Sequence, residues 1–261
     1  MSSQEAPVIT LYDIPSRLPI NAWSLNMWKS RFALNFKGLP HKTHWVEYPD
    51  IEQTMKQIGA APTEKRADGS DHYTCPVISD PGSERTAPAV VSDSWDIALY
   101  LDKAYPSAPL LFPKGTVILQ EVYIQKLNQL VLSPVMRLLI SFMPTHLNPR
   151  SAEYFTKTRE EWVGKKIDDF CPPGPEREKA LDQMKEGLEK LAGLLDKYDG
   201  GAERMFVSGE EPVFADFVLA STFEWAKIVG EEEVWSEVKS WHGGRWERFL
   251  NTVEAKYGKV Y

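Results

Sequence analysis

The hydrophobic periodicity of the chain changes near residue 113, and this change restricts the fold more than any other feature of the sequence. Before it, short apolar runs alternate with amphipathic helical patterns, whereas every periodic segment after it is helical. Mixed strands and helices form a sheet covered by helices, and helices alone pack into a bundle. We therefore predict an α/β domain over residues 1–112 and an all-α domain over residues 113–261.

The first half gives the element order β-α-β-α-β-β-α. The short connection around Gly82 favours an antiparallel hairpin between the last two strands, so the four strands should form a mixed sheet. The predicted strands are residues 8–12, 43–48, 76–80 and 88–92, and the predicted helices are residues 24–36, 50–59 and Ser94–Ala104.

The second half contains helical patterns separated by clear breaks. Pro134 lies inside the first of these helices and should kink it, because proline lacks the N–H that the helix needs. The breaks are CPPGP at residues 171–175 and DGGAE at residues 199–203. The predicted helices are residues 117–142, 150–170, 176–198, Phe214–Val229 and 245–257.

Composition excludes several classes of function. The net charge of −7 and the lack of a Lys/Arg run argue against a nucleic-acid partner, and the five histidines show no metal-binding spacing. Two cysteines outside a CxxC motif indicate a reducing compartment without a disulfide framework. The N-terminus does not read as a signal peptide, and no uninterrupted apolar run is long enough for a membrane helix, so we expect a soluble cytoplasmic protein.

Ser24 opens the first helical pattern, in the stretch INAWSLNMWKSRFALNF. Serine is a favoured N-cap, because its oxygen can accept a hydrogen bond from a free N–H group of the first turn. Capping is therefore the simplest role for Ser24, and a chemical role needs support from elsewhere in the sequence.

Two further motifs follow at the ends of successive elements of the same sheet. In CPVI, Pro76 opens a strand, and a cis bond there would turn the backbone of Val77 toward an extended peptide. Asp93 and Ser94 begin the third helix, where either one could simply cap it. Alternatively, Ser94 and the helix N-terminus could bind a carboxylate while Asp93 binds an ammonium group, as the free end of an amino acid requires.

These motifs, in this order, resemble the glutathione transferase superfamily, which implies a thioredoxin-like N-terminal domain and a helical C-terminal domain. The matching segments are VITLY, WSLNMWKSRFALNFKGL, CPVI, VVSDSWDIALYLDKAYP and PVFADFVLA. Within the superfamily, WKSRFAL and SAEYFTKTREEWVG resemble the serine-type fungal A (FuA) class, which is related to bacterial β-etherases. The resemblance also implies a homodimer.

The resemblance assigns a glutathione site that needs no other cofactor. Ser24 would donate a hydrogen bond to the sulfur of glutathione, the co-substrate, and so favour its nucleophilic thiolate. Val77, following Pro76, would pair with the glutathione backbone, while Asp93 and Ser94 would hold the γ-glutamyl end. Lys42 is a candidate for the glycyl carboxylate by position only. Leu25 stands where the lineage commonly has proline, so it restores an N–H group, and Asn26 adds a possible donor.

The electrophile should bind between Ser24 and the helix predicted at residues 117–142, with Trp23 and Met136 as candidate contacts. The aromatic content and the lineage suggest aromatic or wood-derived electrophiles, processed by conjugation or by ether or thioether cleavage, in detoxification. The alternative is a ligandin-type carrier of polyphenols that retains its glutathione site; a non-catalytic regulatory relative is a third possibility. A second departure from the family is Val213, where the usual Ser or Thr cap of a helix is missing.

Overall fold

The computed structural model describes residues 8–82, 87–197 and 200–261, so the predicted absence of a signal peptide concerns residues that lie largely outside the described part. The strands are β1 Ile9–Asp13, β2 His41–Trp45, β3 Glu64–Lys65, β4 Asp71–His72, β5 Val77–Asp80 and β6 Ala89–Ser92. The helices are α1 Leu25–Phe36, α2 Ile51–Gln57, α3 Ser94–Ala104, α4 Val117–Leu127, α5 Ser133–Leu139, α6 Met143–His146, α7 Pro149–Val163, α8 Pro175–Asp196, α9 Phe214–Val229, α10 Ser236–Val238 and α11 Trp241–Tyr257.

The main sheet has four strands in the order β2-β1-β5-β6. Strand β1 runs parallel to β2 and antiparallel to β5, and β5 and β6 form the expected antiparallel hairpin. The mixed four-stranded sheet is therefore confirmed. Between α2 and β5, in a stretch predicted as a polar loop, two residues each of β3 and β4 pair across a turn at Gly69, whose φ is +84°.

Helix α1 lies between the sheet and the helical domain. Phe32 is fully buried and stacks on Phe217 of α9, with the ring centroids 5.9 Å apart. Arg31, which interrupts the apolar pattern in the sequence, is also fully buried and forms an ion pair of 2.7 Å with Asp13 at the end of β1. The pair ties α1 to the sheet, because removing either charge would leave the other buried without a partner.

The segment between α3 and α4 contains the domain boundary predicted after residue 112. Asp102 accepts hydrogen bonds there from the backbone N–H groups of Leu111 and Phe112, at 3.0 and 2.8 Å. It also accepts one from the buried ammonium of Lys37, at 2.8 Å. One carboxylate, whose two oxygens both accept hydrogen bonds, thus fixes the connection to the α/β domain.

The helix predicted at residues 117–142 is a continuous helical run, Val117–His146, with a π-helical turn at Asn128–Leu132. The turn directly precedes α5, in which Pro134 occupies the first turn and removes one N–H group from the regular α-helical hydrogen bonds; the kink stays a prediction. Helix α8 approaches this turn closely at Gly187, where a Cβ atom would lie 2.0 Å from the carbonyl oxygen of Leu130.

By length and composition alone, the run Val117–His146 could cross a membrane. In this fold, however, it packs against α8 and α9, and Val135, Leu138 and Leu139 are completely buried. A core helix of a helical domain has the same length and composition, so this property does not indicate a membrane protein.

The N-terminus of α9 lacks a side-chain cap at Val213, as the sequence indicated, but its N–H groups have partners. Phe214 N–H donates to the carbonyl of Leu111 at 3.1 Å, and Ala215 N–H donates to Oε1 of the buried Gln120 at 3.0 Å. Asp216 reaches back to the N–H of Val213 at 2.9 Å. The expected loss of helix stability is therefore offset by groups from the inter-domain connection and α4.

The other predicted helices are present with shifted ends. Helix α7 stops at Gly164, whose φ is +76°, rather than continuing to residue 170. Helix α8 is described to Asp196, while the predicted end at residue 198 and the start of the DGGAE break lie outside the described residues. Helix α11 becomes regular only after residues 242–244, which have left-handed backbone angles.

Candidate functional site

Ser24 occupies the N-cap position of α1, but its side chain does not cap the helix. Its backbone is extended, with φ −79° and ψ 130°, and its hydroxyl makes no hydrogen bond to the first turn. The residue is 5% exposed. The hydroxyl and the first N–H groups of α1 therefore lie at the same helix terminus without bonding to each other, an arrangement suited to binding an anion.

Pro76 and Asp93 are adjacent in the structure. The Cys75–Pro76 bond is cis, and the N–H of Asp93 donates to the carbonyl of Pro76 at 3.2 Å. Asp93 has a φ of +75°, a left-handed conformation that non-glycine residues seldom adopt and that is found disproportionately at ligand-binding sites. Its Oδ1 accepts a hydrogen bond from Trp95 N–H at 2.8 Å, which caps α3 and leaves Oδ2 exposed to a ligand.

Ser94 is the first residue of α3 and is 7% exposed. The structure thus brings Pro76, Asp93 and Ser94 together at one end of the β5–β6 hairpin, where α3 begins. Helix α1 packs against α3, so Ser24 and Asp93 mark the N-termini of two neighbouring helices.

The structure does not leave the backbone of Val77 free to pair with a peptide. Val77 is fully buried and lies in register with Tyr12 of β1 on one side and Ser92 of β6 on the other. The preceding residue, Cys75, lies outside the strands, and its backbone N–H and C=O bond to no other backbone group in the part of the chain that the structure describes. Cys75, rather than Val77, is therefore the residue of this segment whose backbone has no strand partner, and the register of β5 is the information that the sequence lacked.

The Cys75 side chain has no role as a nucleophile. Burial is the main cause that raises the pKa of its thiol far above the usual range, and the negative charge of Asp13 raises it further. A neutral, buried thiol is unreactive. Only the backbone of Cys75 is available for chemistry or binding.

Asn26 is exposed in the first turn of α1, and its Oδ1 accepts a hydrogen bond from Nζ of Lys29 at 2.9 Å. Burial lowers the pKa of the Lys29 ammonium to about 8, an effect that the charge of Asp93 partly opposes. Lys29 is not among the candidates from the sequence. Its place in the second turn of α1, shortly after Ser24, is the signal that could have identified it.

The structure does not bring Lys42 to the other candidate residues. Its side chain is exposed near the start of β2, an edge strand separated from β5 by β1. Lys42 is in register with Thr10, and the next residue, Thr43, donates its N–H to the carbonyl of Tyr261 at the C-terminus. Lys42 therefore lies at the start of the parallel strand pair, whereas the loop to Ser24 leaves the end of β1.

The candidate acceptor residues are divided between the two domains. Trp23 is 3% exposed, so both faces of its indole are covered and neither is open for stacking, although its Nε1–H is buried without a hydrogen-bond partner. Met136 is half-buried on α5, which packs against α8 and α9. A cavity of about 290 Å³ opens along the same helical run, but its walls come from α4, the π turn and α8. Its lining residues are Tyr123, Lys126, Leu127, Leu130, Lys190, Leu191 and Leu194.

Two family models match the chain in the same order as its domains. The model for the glutathione S-transferase N-terminal domain matches residues 23–104, and the model for the C-terminal domain of the same family matches residues 118–257. The chain therefore belongs to the glutathione S-transferase family. A curated relative, the glutathione S-transferase-like protein ustS of Aspergillus flavus, is 32% identical over 250 residues, which cover 94% of this chain and 89% of the relative.

Solved fungal structures share the whole fold. Glutathione transferase GSTFuA3 from Phanerochaete chrysosporium is 41% identical, with a TM-score of 0.90 and coverage of 98% of this chain and 100% of that one. A glutathione S-transferase of Ceriporiopsis subvermispora, solved in complex with glutathione, is 38% identical, with a TM-score of 0.89 and coverage of 97% and 99%. The resemblance to the fungal A class is thereby confirmed, and so are the thioredoxin-like and helical domains.

Proposed function

We propose that this protein is a serine-type glutathione transferase in which Ser24 stabilises the thiolate of glutathione. The observation that carries this proposal is the hydroxyl of Ser24, which stands at the N-terminus of α1 without capping it. A relative that is 38% identical binds glutathione in its crystal structure, which supports the same ligand here.

The proposed mechanism rests on the hydrogen-bond donors at the N-terminus of α1. The thiolate is the reactive form of glutathione, and a thiol with an ordinary pKa of about 8.5 is mostly protonated at neutral pH. The Ser24 hydroxyl and the first-turn N–H groups would stabilise the negative sulfur and lower that pKa. Leu25, in place of the proline common in the lineage, contributes one N–H more. The thiolate then attacks a carbon of the electrophile and forms a C–S bond; either a leaving group departs with its electron pair, or the sulfur and a proton add across an activated double bond.

The remainder of glutathione would be held by the β5–α3 region. The backbone of Cys75 would pair with the cysteinyl residue of glutathione, in place of Val77. Asp93 would accept hydrogen bonds from the γ-glutamyl ammonium with its exposed carboxylate oxygen, and Ser94 would donate to the neighbouring carboxylate. Asn26, already bonded to Lys29, lies in the first turn of α1, where its amide N–H would add a donor.

We propose aromatic or wood-derived electrophiles as the second substrate, processed by conjugation or by cleavage of ether or thioether bonds, in detoxification. The aromatic content of the chain and its similarity to GSTFuA3 support this proposal. Met136 remains a candidate contact, whereas Trp23 would have to move to expose a ring face.

A ligandin-type role as a carrier of aromatic or polyphenolic compounds is the second candidate. The cavity between α4 and α8 favours it, because its walls do not include Ser24 and are formed largely by leucines and Tyr123. A flat aromatic compound could bind there without meeting the thiolate.

We also propose a homodimer, formed through the exposed apolar face of α4. Three apolar side chains of α4 are largely exposed there: Ile118 at 73%, Leu119 at 68% and Val122 at 59%. On α8, the apolar side chain of Leu194 is also 50% exposed. A second copy of the chain would cover this face in a two-fold arrangement. Cytoplasmic localisation stays a prediction.

A panel of aromatic compounds separates the two functions. Thermal shift measures binding with and without glutathione, and product formation with glutathione measures transfer. An enzyme would turn over the compounds that it binds, and glutathione itself would raise the melting temperature. A carrier would bind the same compounds without product. Absence of any shift with glutathione would contradict both functions as stated.

A further inference from the structure

Lys29 is held in an unusual position for a lysine. It lies on α1, on the face that it shares with Asn26, because residues three apart on a helix are neighbours. Its side chain is half-buried, whereas lysines are mostly exposed unless they are paired. In the described part of the chain, its ammonium has one side-chain partner, the neutral amide oxygen of Asn26, and no ion pair within 4.0 Å.

Asp93 is the charged group that acts on Lys29, although the two do not form a direct ion pair. Its negative charge favours the ammonium form of Lys29 across the contact between α1 and α3. Two charged residues of α9, which also packs against α1, have partners of their own. Lys227 of α9 pairs with Glu254 of α11 at 2.6 Å, and Asp216 accepts from backbone N–H groups.

The site therefore contains an anion and a cation that are close but unpaired with each other. Asp93 presents a carboxylate at the start of α3, and Ser94 adds a hydroxyl and a helix terminus. Lys29 lies on α1, which packs against α3, and the charge of Asp93 acts on it. A group that carries both an ammonium and a carboxylate on one carbon fits between them, because each of its charges meets an opposite charge. The γ-glutamyl end of glutathione is such a group.

We propose that Lys29 binds the α-carboxylate of the γ-glutamyl residue of glutathione, opposite the Asp93 carboxylate that binds its ammonium. This inference rests on the proposed function, since it concerns the same glutathione site. Lys29 would thus act at the γ-glutamyl end of glutathione, whereas Lys42 was considered for the glycyl carboxylate at the other end. The desolvation that lowers the pKa of Lys29 is consistent with an ammonium that lacks an anionic partner until the ligand arrives.

Calorimetric titration of the full chain with S-methylglutathione tests the proposal, because the methylated sulfur cannot ionise and Ser24 contributes little. Lys29→Met should weaken binding by about ten- to a hundredfold, the range for losing a hydrogen bond between charged groups. Lys29→Arg should retain most of the affinity. Lys103→Met, an exposed lysine in the last turn of α3, is the matched control and should bind as the wild type does.

Two modified ligands show which of the two carboxylates of glutathione Lys29 binds. The analogue in which 4-aminobutyryl replaces γ-glutamyl lacks only the α-carboxylate, so wild type and Lys29→Met should bind it equally. The glycyl ethyl ester lacks the other carboxylate charge, so the loss caused by Lys29→Met should persist with it. An equal loss with the 4-aminobutyryl analogue would indicate a merely structural role and overturn the proposal. Disappearance of the loss with the glycyl ester would move Lys29 to the glycyl end and also overturn it.

The pH dependence gives a readout that a structural role would not produce. Deprotonation removes the cation, so wild-type affinity for S-methylglutathione should fall by up to about tenfold from about pH 7 to about pH 9. The ammonium of the ligand also titrates in this range and weakens binding to both proteins, but the affinity of Lys29→Arg should fall by up to about tenfold less, because a guanidinium stays charged. Parallel curves for the two proteins would contradict the assignment. All of these experiments measure binding. The Lys29 proposal can therefore fail while glutathione transfer still depends on Ser24, and Ser24 can prove dispensable for transfer while Lys29 still binds the ligand.

Discussion

Replacement of Ser24 by alanine distinguishes a cap from a thiolate donor, and the structure sets the size of both effects. A serine that caps a helix stabilises it by about 1 kcal/mol. The Ser24 side chain makes no capping hydrogen bond, so Ser24→Ala should change the free energy of unfolding by less than about 0.5 kcal/mol.

The catalytic effect should be much larger. Loss of one donor to a negatively charged atom slows a reaction by about ten- to a thousandfold. The N–H groups of Leu25 and Asn26 remain at the helix terminus, so we expect the low end of that range. A tenfold effect corresponds to about 1.4 kcal/mol, which would raise the pKa of bound glutathione by about one unit.

The assay is the rate of glutathione transfer to a generic aryl electrophile as a function of pH, with chemical denaturation of the same samples. Ser30→Ala is the matched control, because Ser30 lies on the same helix and its buried hydroxyl has no partner. It should leave both the rate and the pH profile unchanged. Aromatic-ligand affinity should barely change in either variant.

Two results would refute the reasoning about Ser24. An unchanged rate and pH profile in Ser24→Ala would show that the hydroxyl does not hold the thiolate, and would favour Asn26 or a carrier function. A loss of about 1 kcal/mol in stability with unchanged chemistry would show that the hydroxyl caps the helix in solution.

Three further predictions follow from the described contacts. Asp93→Asn keeps the cap of α3 and tolerates the left-handed backbone, so it should fold normally and weaken glutathione binding by about 1.5–3 kcal/mol in calorimetry; unchanged affinity would remove Asp93 from the site. Val122→Glu together with Ile118→Glu should convert the expected dimer into a monomer in light scattering, and a wild-type mass of 29.7 kDa would contradict the dimer. Burial and a neighbouring carboxylate on α11 raise the pKa of Glu224, so the folded state holds a proton that the unfolded state releases. Stability should therefore fall as the pH rises above the unfolded pKa toward the folded one, and Glu224→Gln should flatten that decline in thermal melts; an equally steep decline would refute the assignment.

Local patterns in the sequence were sufficient for the main elements and the family, although they missed β3 and β4 and several helix ends. Ser94–Ala104 and Phe214–Val229 have the predicted ends, because periodicity and flanking residues act over a few positions. The antiparallel hairpin followed from the short connection between its strands. Asp93 and Ser94 could be singled out because they begin a helix, and the structure places them beside Pro76.

Tertiary structure decided the identity of the other contacts. The register of β5 between β1 and β6 encloses Val77 and leaves the backbone of Cys75 free. The packing of α1 against α3 places Lys29 where the charge of Asp93 acts on it, whereas Lys42 lies on the edge strand β2. The sequence by itself determined which residues could form helices, strands and a terminus that binds anions. The contacts between the polar groups of these helices and strands depend on strand register and on packing between segments distant in the chain. Register and packing are set by burial of the whole core rather than by local preference.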